Sequence, residues 1–150
     1  VPVTADGRYT IDFLGPYDWP LLFNAWDQAS QWSGQVGNRH LARAVKVNAG
    51  ATTTFDFRFR PAVAVTVKVR GVPAGIDSIV ALNAITGDFM GGAGGLPGDS
   101  VTMGLVGPQL VKLLITPRDG EQRWVGGDDF LDAQPFWIPA SGSRTITVDY

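Results

Sequence analysis

Gln31-Trp32-Ser33-Gly34 and Arg123-Trp124-Val125-Gly126 are two forms of one stretch, and the relation between them decides how the chain is divided. A shift of 92 residues lays Trp32 on Trp124 and Gly34 on Gly126. It also matches Thr10 to Thr102, Gly15-Pro16 to Gly107-Pro108, Leu21-Leu22 to Leu113-Leu114 and Asp27 to Asp119. Self-similarity at a fixed spacing defines the structural unit before any local feature does. The chain is therefore read as an internal repeat.

Upstream of each Trp-Gly stretch the side chains alternate between apolar and polar, the period of a strand with one buried face. Tyr9, Ile11 and Phe13 share parity in the first copy, and Val101, Met103 and Leu105 take their places in the second. Trp19, Leu21 and Phe23 are matched in the same way by Val111, Leu113 and Ile115. Pro20 interrupts the first of these two runs. Because proline cannot donate to a ladder, an exposed edge is expected there.

Residues 24–39 read as a long connection containing Trp26 and Trp32, with strands expected again over 40–47 and 54–60. In the latter, Phe55, Phe57 and Phe59 face one way, and Asp56, Arg58 and Arg60 the other. Beyond the Trp-Gly stretch the shift becomes 91, which lays Ile146, Val148 and Tyr150 on the three phenylalanines. The lost residue falls in a connection, where indels belong. Two further strands, over 62–70 and 76–84, precede the repeated part of the second copy and have no counterpart in the first. The glycine-rich residues 90–98 are expected to be a mobile loop. They lack the Gly-Lys-Ser/Thr ending that a phosphate cradle needs.

Composition agrees with this pattern. Of 150 residues, 45% are hydrophobic and 17% charged, with 19 Gly and 10 Pro, a globular make-up with many turns between short strands. The fold class is all-β, with tandem β-sandwich units: the first, over 1–60, is incomplete at its N-terminal side, and the second spans 61–150. Three readings of the gap stand side by side: the sequence starts inside a tandem array; another segment fills the gap, either the chain's own second half or a neighbouring chain adding strands to an open edge; or all the strands fuse into one sandwich. A net charge of −2 gives no overall attraction to nucleic acid or anionic lipid. No apolar run approaches the ~20 residues that span a bilayer, so membrane insertion is not expected. Cysteine is absent, which removes disulfides and thiolate chemistry. Beginning at Val1, the chain is expected to be a processed or excised product.

The order Asp6-Gly7-Arg8-Tyr9-Thr10-Ile11, Gly15-Pro16, a strand, a Trp-Gly connection, and residues 45–54 (Val-Lys-Val-Asn-Ala-Gly-Ala-Thr-Thr-Thr) resembles the carboxypeptidase regulatory-like repeats. Leu82-Asn83-Ala84-Ile85-Thr86-Gly87 and Arg123-Trp124-Val125-Gly126-Gly127 are similar to further segments of that family. The resemblance departs from the family at Pro97-Gly98-Asp99, where the Asp-Gly order is lost. It implies transthyretin-like or Ig-like seven-stranded sandwiches, found in tandem in secreted bacterial proteins, acting as non-catalytic accessory or spacer modules. It brings no catalytic residues.

The candidate chemistry is sparse. His40 is the single histidine, and nothing resembling a nucleophile elbow accompanies it, so no catalytic residue is assigned and the chain is not expected to be an enzyme. Asp128, Asp129 and Asp132 cluster after the second Trp-Gly stretch. Hard cations such as calcium take several carboxylate oxygens, which makes these three weak candidates for a metal, although their spacing matches no ligand loop. No other cofactor is implied. Trp32 and Trp124 recur, which in a repeat points to a packing role in the core. Trp26 aligns with Arg118, and Trp137 with Lys46. A position that carries a charge in one copy is normally solvent-facing, so Trp26 and Trp137 are the candidate ligand or partner contacts. The expected function is a structural or adhesion module of an extracellular or surface assembly, such as a filament or virion, associating with protein partners or itself through sheet edges. The alternative is a carbohydrate-binding module appended to a polysaccharide-active enzyme.

Overall fold

Short strands come first in the computed structural model, which describes residues 1–25, 27–94 and 98–150. They are β1 (Asp18–Trp19), β2 (Leu22–Ala25), β3 (Gln28–Trp32) and, after one 3₁₀ turn at Arg39–Leu41, β4 (Val45–Lys46). Longer strands follow: β5 (Val63–Arg70), β6 (Ile76–Asn83), β7 (Phe89–Gly94), β8 (Ser100–Leu105) and β9 (Gln109–Pro117). The last three are β10 (Arg123–Trp124), β11 (Pro135–Ile138) and β12 (Ser143–Asp149). The fold is all-β.

β5 to β12 make two facing sheets. One has the order β12-β5-β8, the other β10-β9-β6-β7, with β11 joining β10 on the same edge of β9. Every pairing is antiparallel except β5 with β12, which run parallel. The alternation of β5 decides its inward face: Val63, Val65, Val67 and Val69 are buried, while Ala64, Lys68 and Arg70 are exposed. They meet Val101, Met103, Leu105, Ile146 and Val148 of their own sheet, and Ile79, Ala81, Val111, Leu113 and Ile115 of the other, in one core cluster. Each such side chain contributes about 1.5–3 kcal/mol by leaving water. Ile76 keeps its place in this core because a bulge between Ile76 and Ser78 corrects the parity of β6.

The 92-residue spacing reappears in the ladders. Leu22 lies opposite Trp32 and Phe23 opposite Gln31, as Leu114 lies opposite Trp124 and Ile115 opposite Arg123. The Ser33 N–H donates to the Leu21 carbonyl at 2.7 Å, and Val125 N–H to Leu113 at 3.0 Å. Across the shortened connection, Trp19 opposes Val45 and Asp18 opposes Lys46, as Val111 opposes Phe136 and Leu110 opposes Trp137. Gly34 and Gly126 both take positive φ, 92° and 72°, a conformation that favours glycine. This accounts for the Gly of the repeated stretch.

The surroundings of the two hairpins differ. β9 has β6 on its other edge, whereas β1 and β2 have no strand there among the described residues. Ala84 N–H donates to the Leu110 carbonyl and Val125 N–H to that of Leu113. Residues 110, 112 and 114 of β9 therefore turn their main-chain groups toward β6. Pro20 stands at the position of Lys112, so the expected edge is present, and its proline withdraws a donor from the open side. β3 instead lies along β7 and β8, and Trp32 joins the sandwich core at 9% exposure.

Several expected elements are corrected. Of the expected loop over 90–98, residues 90–94 belong to the strand Phe89–Gly94, paired to β6, and residues 95–97 lie outside the described residues; the glycines of this strand admit close neighbours, and a Cβ on Gly91 would come within 2.8 Å of Leu105. Residues 54–60 keep the expected burial alternation at Phe55, Phe57 and Phe59 but form no strand, and among the described residues no strand pairs with them. The run from Tyr9 to Phe13 is not a strand either: Phe13 has φ 63° and is fully exposed, so it does not join Tyr9 and Ile11. Over 40–47 only Val45–Lys46 is extended into a ladder. The connection 24–39 contains β3.

Candidate functional site

Buried polar side chains close the first sixty residues on themselves, at Gln31 and Arg60, and tie them to the sandwich, at Gly37 and Asn83. Gln31 is fully buried; its Nε2 donates to the Arg60 carbonyl at 2.8 Å and its Oε1 accepts from Arg60 N–H at 3.1 Å, imitating a strand pair. Asn83 Nδ2 donates to the Gly37 carbonyl and to Gln109 Oε1, each at 3.0 Å, while its Oδ1 accepts from the amides of Ile85 and Thr86. Arg60 reaches the Ala140 carbonyl at 2.8 Å. These groups replace water with main-chain partners, as buried polar groups must.

The aspartate loop is held from beneath. Lys112, 8% exposed, donates from Nζ to the carbonyls of Phe130 and Leu131 at 2.5 and 2.9 Å and sits 4.7 Å over the Phe130 ring. Asp129 Oδ1 accepts from the amides of Leu131 and Asp132 at 2.6 and 3.1 Å, an Asx turn. Asp128, Asp129 and Asp132 are all exposed. Among the described residues, no group of three or more His, Cys, Asp or Glu is arranged to hold a metal ion. The Asx turn and the Lys112 ammonium give the loop its local order. His40 is likewise exposed, its amide bonded to Asn38 Oδ1 at 2.8 Å in the cap of the 3₁₀ turn.

The tryptophans separate. Trp137 is 51% exposed on β11, opposite the exposed Leu110. Trp26 lies outside the described residues. Trp32 is buried, and its Nε1 has no hydrogen-bond partner among the described residues. Trp124 is only half-buried, whereas Trp32 belongs to the core cluster. The Trp124 ring meets Phe130 edge-on at 5.5 Å and borders an open cleft of about 250 Å³ with Arg123, Asp128, Asp149 and Tyr150. Arg123 covers the Tyr150 ring at 5.2 Å.

A second surface was not singled out from the alternation alone. Phe23 stacks on Phe57 at 3.9 Å and 4°, with Phe55 at 6.2 Å from Phe23, Tyr9 edge-on to Phe23 at 5.6 Å and Phe59 edge-on to Phe57 at 5.1 Å. All five rings are half-buried. Tyr9 OH donates to the Phe55 carbonyl at 2.9 Å. Burial, with a smaller contribution from the Asp56 charge, raises the Tyr9 pKa above its ordinary 10.0. The trace of this surface in the sequence is the shared parity of Phe23 and the three phenylalanines; the face-to-face stacking joins residues distant in the chain. No helix among the described residues is long and apolar enough to cross a membrane. No protein-family model matches the chain, and no curated protein matches its sequence.

Proposed function

We propose that the chain is a non-catalytic structural or adhesion module of an extracellular or surface assembly, related to the carboxypeptidase regulatory-like repeats. The observation that carries this reading is how the chain distributes its chemistry. Gln31, Asn83, Gln109 and Lys112 are buried and spent on main-chain partners, while aromatic rings stay accessible to a partner: the half-buried Phe23–Phe57 stack and the exposed Trp137. Exposed aromatics are suited to contact with partners. The seven strand positions of β5 to β12, counting β10 and β11 as one interrupted strand, support the family reading. Sedimentation from micromolar to millimolar chain tests the reading. It expects concentration-dependent assembly or adhesion to a surface protein, and a monomer that adheres to nothing would overturn it.

The exposed ring of Trp137, on a strand paired along its length to β9, favours a second reading, a carbohydrate-binding module in which the ring stacks on a sugar face. Retention on a polysaccharide panel, lost in Trp137→Ala with an unchanged thermal midpoint, is the result it expects. An unretained parent chain would remove it.

A further inference from the structure

The Phe23–Phe57 surface has a counterpart whose cover is known. At the shifts of 92 and 91 residues, Tyr9, Phe23, Phe55 and Phe57 correspond to Val101, Ile115, Ile146 and Val148, which are 2%, 1%, 3% and 6% exposed. The strand beside Ile146 and Val148 is β5: Ile146 opposes Val67, Val148 opposes Val69, and Tyr150 N–H donates to the Arg70 carbonyl at 2.9 Å. Residues 54–60 correspond to β12 without this neighbour. Phe55, Phe57 and Phe59 are half-buried between the exposed Asp56 and Arg58, the alternation of a strand, and among the described residues no main-chain hydrogen bond joins residues 54–60 to another segment. Side chains satisfy part of the backbone instead: Tyr9 at the Phe55 carbonyl, Gln35 at Arg58, and Gln31 at Arg60.

We infer that residues 54–60 are a docking strand that takes one extended β-strand from a partner protein, running parallel as β5 runs beside β12, with alternating aliphatic side chains laid over the Phe23–Phe57 stack. The occupant is one strand, not a sheet, because the adjoining edge that β6 would occupy carries Pro20 where β9 has the Lys112 N–H. Charge narrows the partner further. In the β5 register, Lys68 falls opposite the position of Asp56 and Arg70 opposite that of Arg58. The favoured strand is therefore basic opposite Asp56 and acidic opposite Arg58, since like charges directly opposite destabilise a pair. Main-chain bonds supply affinity and alternate side chains supply selectivity.

The inference rests on the reading of the chain as an assembly module, and its test is independent of self-assembly. The 150-residue chain, at a concentration where it sediments as one species, is titrated with a peptide of sequence Ala62–Gly71 carrying Arg70→Glu, and amide hydrogen exchange is followed. Protection of the Phe57 and Phe59 amides is expected to rise at least about tenfold. The unsubstituted peptide is expected to bind a few-fold more weakly at low salt, and a peptide N-methylated on the residues facing the chain is expected not to protect. Equal effects from the methylated peptide, protection confined to Phe89–Gly94 or Ser143–Asp149, or no protection at residues 54–60 would each overturn the docking strand. A chain that assembles yet leaves residues 54–60 unprotected by peptide overturns the inference and not the module reading. Peptide protection in a chain that never assembles does the reverse.

Discussion

Trp32 and Trp124 hold the same place in their hairpins, each across the ladder from a leucine, yet only Trp32 is taken into the sandwich core. The reason lies beside them. Lys112 holds the loop after Trp124 against its own strand, whereas Pro20, its counterpart, has no such group, and the loop after Trp32 is bound by Asn83 on the other sheet.

Truncation should therefore separate two residues that the sequence treats alike. Trp32→Ala is expected to cost about 3–5 kcal/mol, as for large aromatics lost from a core, and Trp124→Ala on the order of 1–2 kcal/mol for partial burial. Urea unfolding midpoints measure both. Equal losses would mean that the first sixty residues do not rest on the sandwich.

The glycines of the repeated stretch should resist substitution for backbone reasons. Gly34→Ala and Gly126→Ala are each expected to lower stability by about 1 kcal/mol or more, since both have positive φ. Gly126→Ala should cost more, because its Cβ would stand 2.9 Å from that of Gln134, against 3.2 Å from Arg43 for Gly34. Gly142→Ala, with φ 86° and open space around it, isolates the conformational part. The thermal midpoint should fall most in Gly126→Ala, less in Gly34→Ala and least in Gly142→Ala.

Removing the ammonium under the aspartate loop should loosen it. Lys112→Met keeps the apolar stem but leaves two carbonyls without their donor, a loss of about 1.5–3 kcal/mol. Amides of residues 128–133 should exchange faster than in the parent. If calcium instead organises this loop, chelation would produce the same acceleration in the unsubstituted chain; we expect chelation to leave it unchanged.

Tyr9 supplies a pH signature. Its pKa is raised above 10.0 in the folded chain by burial and then by Asp56, so the folded state holds the phenol proton more tightly than the unfolded state. Its contribution is complete below pH 10.0 and is lost as pH rises through the higher folded value. The fall in stability above pH 10 should be shallower in Tyr9→Phe, which also loses the bond to Phe55. Parallel pH–stability curves for the two proteins would contradict this.

Alternation and the repeat made much of the sandwich legible. The valines of β5, the inward faces of β8 and β9 and the edge at Pro20 all follow from parity and proline chemistry. Residues 54–60 show where that reading stops: one-sided burial produces a period of two whether or not a neighbour completes a ladder. Phe13 fails differently, because its left-handed backbone leaves no trace in hydropathy. The exposure of Trp137 was legible from the charge at its counterpart, Lys46. The Trp32–Trp124 difference was not, since it depends on Pro20 against Lys112 and on contacts distant in sequence.

The parallel pairing of β5 and β12 has a mechanical consequence. They are the first and last strands of the sandwich, and seven residue pairs, from Ala64 with Ser143 to Arg70 with Asp149, join them side by side. Tension between the entry to β5 and the exit from β12 drags the two strands past each other along their common axis. All seven pairs then bear load at once, in shear, whereas a hairpin pulled at its open end unzips pair by pair. Along that axis the seven-pair ladder therefore resists separation more than a hairpin of equal length pulled from its open end.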